Sequence, residues 1–129
     1  MSILGLDYGR KKIGLALAIS MLAEPYDVIH FETIGEAITK IIGVLKKEKI
    51  EVVVVGISEG EMAKESKEFA DKLREKIIIP VDLQDETLTT IMAQRLSIEA
   101  EIGRKKRKKF EDAYAATLLL QNYLDKAEI

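Results

Sequence analysis

Ile3-Leu4-Gly5-Leu6-Asp7-Tyr8-Gly9-Arg10-Lys11-Lys12-Ile13-Gly14-Leu15-Ala16-Leu17-Ala18 opens the chain with two apolar runs around a polar turn. Each run has the length of an ordinary strand, about 5–6 residues, and Gly9, Arg10 and Lys11 supply the break. The stretch predicts a β-hairpin with strands over residues 3–8 and 13–18. Period-two geometry sets Ile3, Gly5 and Asp7 on one face and Leu4, Leu6 and Tyr8 on the other. A carboxylate near the end of an apolar strand is costly to desolvate unless it is paired, hydrogen-bonded or holding a cation. Asp7 is therefore either the cap of the turn before Gly9 or a functional acid.

Beyond the hairpin, Pro25 precedes a third strand near residues 27–31, and Thr33 is placed to cap a helix over residues 34–47. Its apolar positions 34, 37, 38, 41, 42 and 45 have helical spacing. Residues 51–56 form the clearest strand. Its uniform run of valines implies a central position buried on both faces. A polar helix is expected over residues 62–75, with Ala63, Phe69, Ala70 and Leu73 facing inward. A fifth strand over 77–83 contains Pro80, which favours a sheet edge or a bulge. Helices near 88–101 and 109–126 follow, separated by Gly103 and a run of cations. The order βββαβαβαα predicts an α/β fold, a mixed five-stranded sheet with helices on its faces, in one domain over 1–129.

Composition narrows the chemistry. With 47% hydrophobic and 33% charged residues, the 129-residue chain is neither disordered nor membrane-embedded. Its apolar runs are too short to span a bilayer, and the first residues lack a signal-peptide pattern, so a cytoplasmic location is expected. Cysteine is absent, which excludes disulfides, thiolate metal sites and a cysteine nucleophile. His30 is the only histidine and cannot build a His-rich zinc site. Carboxylates, hydroxyls, lysines or a bound ion must carry any reaction.

Acids stand out at three places. Asp7 ends the first strand, Asp85-Glu86 follows the fifth, and Asp112 begins the last predicted helix. Each has a bland reading: Asp85 as an N-cap, Glu86 and Asp112 as complements to a helix N-terminus. Asp112 also shares its helical face with Ala115, Ala116, Leu119 and Tyr123, where it is the one acid. A sheet could gather Asp7, Glu86 and Asp112 at one edge, and clustered carboxylates are tolerated chiefly when divalent cations neutralise them. Oxygen-only ligation selects Mg²⁺ or Mn²⁺, and such ions support phosphodiester hydrolysis.

Net charge is −2, yet the cations are clustered. Arg104, Lys105, Lys106, Arg107, Lys108 and Lys109 are consecutive, and Arg10, Lys11 and Lys12 form a second group. The usual fate of such a run is a solvated loop. Beside the acids it could instead hold phosphates. No aromatic residue interleaves it, so backbone and shape recognition is expected rather than base stacking.

Four blocks, in order, resemble the YqgF/RuvX family of Holliday-junction resolvases, also described as pre-16S rRNA nucleases. They are residues 6–16 (Leu6-Asp7-Tyr8-Gly9 onward), Val53-Val54-Val55-Gly56, Asp85-Glu86-Thr87-Leu88-Thr89-Thr90, and the run from Arg104 to Lys109 followed by Asp112-Ala113-Tyr114-Ala115-Ala116. The resemblance implies an RNase H-like fold with metal-binding catalytic carboxylates at Asp7, Glu86 and Asp112, Asp85 being the alternative acid. It also implies cleavage of structured nucleic acid, precursor rRNA or branched DNA, with room for a homodimer on a two-fold junction. Two positions depart from the family. Ile57-Ser58-Glu59-Gly60 replaces a longer Pro- and Asn-containing stretch, and Thr87 stands where the family usually has Arg.

Two other readings compete. Asp7-Tyr8-Gly9 in a hairpin also resembles the first phosphate loop of sugar kinases and actin-like ATPases, but a second such loop with an adenosine-binding Gly-rich segment is missing. A non-catalytic module that holds nucleic acid through the basic run is the stronger rival.

Overall fold

The structure is a computed structural model that describes residues 1–85 and 104–127, with 104–112 and 127 described by backbone alone. Strand β1 (Ile3–Tyr8) and strand β2 (Lys12–Ala18) form the expected antiparallel hairpin, in register from Ile3↔Ala18 to Tyr8↔Ile13. Strand β3 (Ala23–His30) continues the meander. Helix α1 (Ile34–Lys47) then crosses to β4 (Val52–Ile57), which pairs parallel with β1. Helix α2 (Glu61–Lys76) crosses to β5 (Val81–Asp85), parallel with β4. The last described helix, α3, spans Arg104–Ala127. The mixed sheet has the order β3-β2-β1-β4-β5. The helix expected over 88–101 lies outside the described residues.

Alternation along the strands sorts the core into two layers. Leu4, Leu6, Tyr8, Ile13, Leu15, Val53 and Val55 pack beneath α1 and α2, with Ile41, Phe69 and Leu73 from the helices. Ile3, Ala16, Ala18 and Val54 pack beneath α3, against Ala116, Leu119, Leu120 and Leu124. Val53, Val54 and Val55 are all fully buried, as expected of a central strand covered on both sides. Thr33 caps α1, its Oγ1 accepting from the Glu36 amide at 3.1 Å.

Three elements differ from expectation, each for a tertiary reason. β3 starts at Ala23, so Pro25 lies inside a strand. The sheet tolerates this because β3 is an edge and its register against β2 shifts at Leu15/Ala16, opposite Pro25. β5 begins only after Pro80, which still contributes as an acceptor: the Val53 amide donates to its carbonyl at 3.0 Å. In α2 the inward face is Ser66, Phe69, Ala70 and Leu73, while Ala63 is only half-buried.

The basic run is also corrected. Residues 104–109 form the opening turns of α3 rather than a loop between helices. Lys and Arg are good helix formers, and propagation from turns buried at Ala113, Ala116, Leu119 and Leu120 carries the helix back through them. Among the described residues, no helix is long and apolar enough to cross a membrane.

Candidate active site and nucleic-acid interface

Asp7 is half-buried near the carboxyl end of β1, on the face covered by α3. That end of the sheet gathers the carboxyl ends of the parallel strands β1, β4 and β5, where open α/β sheets usually meet ligands. Asp7 stands opposite Gly14 of β2, and the register Leu6↔Val55 sets Gly56 of β4 on its other side. Both glycines are buried. The strand positions on either side of the carboxylate therefore carry no side chains.

The packing of α3 determines what passes over this floor. A Cβ added to Gly5 would lie 3.0 Å from the Leu120 Cβ and 3.4 Å from the Ala116 carbonyl, so a side chain there would push the helix away. Ile3 lines a cavity of about 420 Å³ with Tyr123 and Leu124. Progress along β1 from Ile3 to Gly5 thus matches progress back along α3 from Leu124 to Ala116. Asp112 lies more than two turns inside α3 when the helix is counted from Arg104. Complementing the N-terminal dipole, which falls off within the first turn, therefore does not account for an acid there.

Polar ties fix α3 on the sheet. Gln121 accepts from the Ala23 amide at 2.9 Å and donates to the Met21 carbonyl at 3.0 Å, gripping the β2–β3 connection. Tyr123 donates to the Asp82 carboxylate on β5. That bond, with burial adding, pushes the Tyr123 pKa up to about 12.

The predicted basic residues have different fates. Arg10 is taken up by Glu65 of α2: Nε lies 3.0 Å from each carboxylate oxygen and Nη2 2.6 Å from Oε2. The mutual hydrogen bond lowers the Glu65 pKa and raises that of Arg10. Lys11 is exposed in the turn, and Lys12 is half-buried at the start of β2. Of the run at Arg104, Lys105, Lys106, Arg107, Lys108 and Lys109, the backbone is helical, and consecutive positions ring the helix at about 100° each.

Asp85 is exposed at the end of β5, and alternation puts it on the side of Val81 and Leu83, away from Asp7. It borders a groove of about 430 Å³ with Ser58, Ala63 and Lys67, residues of α2 and the loop before it. Asp85 and Asp7 are therefore not on one face. Glu86 lies outside the described residues, as does the side chain of Asp112. Among the described residues no three His, Cys, Asp or Glu side chains gather as a metal site. His30 ends the edge strand β3, exposed and opposite Lys12, at the same end of the sheet as Asp7 with β2 between them. With no cysteine and a single histidine in the sequence, the donors this chain can offer a metal are mainly oxygens.

Glu65 is the site-bordering residue that the sequence did not mark. It is 55 positions from Arg10, in a helix full of similar acids and lysines, and no local spacing singles it out.

The chain is similar to known proteins over nearly its whole length. A protein of Halothermothrix orenii named "Putative pre-16S rRNA nuclease" is 38% identical, over 97% of this chain and 95% of its own length. One of the same name from Caldanaerobacter subterraneus is 41% identical, over 97% and 96%. Among solved structures, Thermus thermophilus RuvC in complex with Holliday junction substrate aligns with a TM-score of 0.65 at 16% identity, covering 99% of this chain and 96% of that one. The fowlpox virus resolvase with Holliday junction DNA aligns at 0.63 and 16%, covering 98% and 99%. At such identity these two likenesses establish the fold. The RuvX family, described as Holliday junction resolvase, matches residues 1–126, and this chain belongs to it, within the RNase H-like superfamily.

Proposed function

We propose that the chain is a divalent-metal-dependent nuclease of structured nucleic acid, working as one domain in the cytoplasm, with 5′-end processing of precursor 16S rRNA as its task. The observation that carries this reading is Asp7: a half-buried carboxylate at the carboxyl end of the central strand β1, flanked by Gly14 and Gly56. The names of the relatives and the family's description support the substrate class.

Asp7, Glu86 and Asp112 would hold the ion. Asp85 lies on the face opposite Asp7, which leaves Glu86 as the acid of that pair in this reading. A divalent ion supplies charge neutralisation at a phosphodiester and activation of water. The chain's own part is to orient the carboxylates and position the phosphate. Gly14 and Gly56 flank Asp7 without side chains, and α3 closes over the same face. Cations at 104–109 add to the positive end of the α3 dipole, so the helix start attracts phosphate twice over. Lys11 and Lys12 present charge from the hairpin turn.

The test is incubation of the purified chain with precursor 16S rRNA and with a four-way DNA junction, with and without Mn²⁺, alongside Asp7→Asn. Cleavage that needs the ion and is lost in Asp7→Asn, with binding retained, supports the reading. The preferred substrate separates rRNA maturation from junction resolution, and symmetric junction cleavage would call for a second copy. Identical behaviour of wild type and Asp7→Asn sinks catalysis and leaves a binding module.

A further inference from the structure

Two anchors on one face of α2 grip the hairpin turn that follows Asp7. Glu65 takes Arg10 on three contacts, and Phe69, one helical turn further on, stacks on Tyr8 with ring centroids 4.8 Å apart and planes 25° apart. Between the anchored positions lies Gly9, where an added Cβ would come within 2.7 Å of the Lys12 carbonyl, so the turn is closed tightly on itself. Glu61 approaches the same guanidinium at 3.9 Å. The planar fork of Arg10 is thus met by two carboxylates of this chain.

From this geometry we propose that Glu65 is a positioning residue: by holding Arg10 it fixes the turn of residues 8–12, and with it the end of β1 that carries Asp7, and it withholds Arg10 from the nucleic acid. The proposal rests on the nuclease reading above. Its physical logic is that an arginine beside a phosphate site would ordinarily swing onto phosphate. Here a carboxylate already supplies the bidentate partner at hydrogen-bond distance. Phosphate would then be met in this turn by the exposed Lys11, and Arg10 would serve geometry. The mutual pKa shifts of Arg10 and Glu65 agree with a tight pair. Displacement of a reacting group by about 1 Å can cost roughly 10²-fold in rate, so a loosened turn is felt at Asp7.

The experiment compares wild type, Arg10→Gln, Glu65→Gln and the exchanged double variant Arg10→Glu/Glu65→Arg. Three things are read: kcat and KM with Mn²⁺ on the precursor rRNA and the four-way junction, the salt dependence of binding without divalent ions, and amide exchange over residues 8–12. Both side chains keep solvent exposure, 60% for Arg10 and 31% for Glu65, so unchanged melting temperatures are expected to exclude misfolding. Each single variant should lower kcat about 10- to 100-fold. Arg10→Gln should keep the wild-type salt slope, and the exchanged pair should recover most of kcat. A salt slope reduced by about 0.9 in Arg10→Gln, the loss of one duplex phosphate contact, with kcat unchanged, would overturn the proposal. Failure of the exchanged pair to recover kcat would overturn it as well. If wild type cleaves neither substrate, the nuclease reading fails by itself and amide exchange decides the clamp. Faster exchange at residues 8–12 in both single variants, restored in the exchanged pair, supports it; no change sinks it.

Discussion

On the face covered by α1 and α2 the first two strands present Leu4, Leu6, Tyr8, Ile13 and Leu15, whereas under α3 they present Ile3, Gly5, Gly14, Ala16 and Ala18. Large side chains on the first face fill the space between sheet and helices and keep the helices at a distance. Small ones on the second let the α3 backbone come down to the strands, to the point that a Cβ on Gly5 would lie 3.0 Å from that of Leu120. The acid that carries the proposed chemistry is on the second face. Volume on one side builds the larger core cluster, and its absence on the other brings a helix close to the strands that carry the acid.

The comparison can be broken in four places. Asp7→Asn should give the largest effect, a loss of cleavage of about 10²–10³-fold, since the neutralising ion is worth several kcal/mol to the transition state. Mn²⁺ binding measured by calorimetry should weaken in parallel. On the opposite face Leu4→Ala, which truncates a fully buried side chain, should cost about 2–5 kcal/mol in denaturant unfolding. Cleavage at a temperature where it stays folded should be retained. If Leu4→Ala abolished activity while folded, the division of labour between faces would be wrong.

Gly5→Val tests the close approach directly. Its Cβ would meet Leu120 at 3.0 Å, and overpacking of this kind should destabilise by about 1–3 kcal/mol. Leu120→Ala in the same chain should relieve part of that cost, a coupling that a double-mutant cycle measures. Strict additivity would mean that α3 does not sit where the contact puts it.

The smallest effect concerns pH. Tyr123 binds Asp82 on the α3 side, and Tyr26 binds Glu48 at 2.7 Å on the other, each with its pKa pushed up to about 12, first by the hydrogen bond and then by burial. A folded-state pKa above the unfolded tyrosine value of about 10 stabilises the fold fully below pH ~10. That stability is lost as pH rises toward about 12. Melting temperature should therefore fall more steeply between pH 10 and 12 in wild type than in Tyr123→Phe. Equal slopes would remove the Tyr123–Asp82 bond from the account.

Much of this fold is legible locally. β1 has the predicted limits, α1 has its predicted cap and limits, and the valines of β4 are buried on both sides. These features depend on neighbours one to four residues away, so period and capping report them. Pro25 and the basic run misled for the converse reason. A proline is tolerated in β3 because that strand is an edge beside a register shift, and residues 104–109 are helical because distant turns of α3 are buried. Neither cause is present in the local string. The candidate acids were legible as anomalies, polar groups at positions where polarity needs a reason. Their faces were legible only where a strand's alternation could be tied to a core, which set Asp85 apart from Asp7.

By itself the chain of residues determined the alternation that splits the sheet into a bulky and a spare face, the exclusion of thiolate chemistry and of a His-rich metal site, and the acids that remained. Tertiary structure alone decided that Glu65 takes Arg10, that Gly5 lies under Leu120, and that the cations at 104–109 begin a helix. The physical reason is one of range. Periodicity and capping are interactions along the backbone, whereas an ion pair across 55 positions or a helix-to-strand contact exists only once the folded chain has brought its elements together.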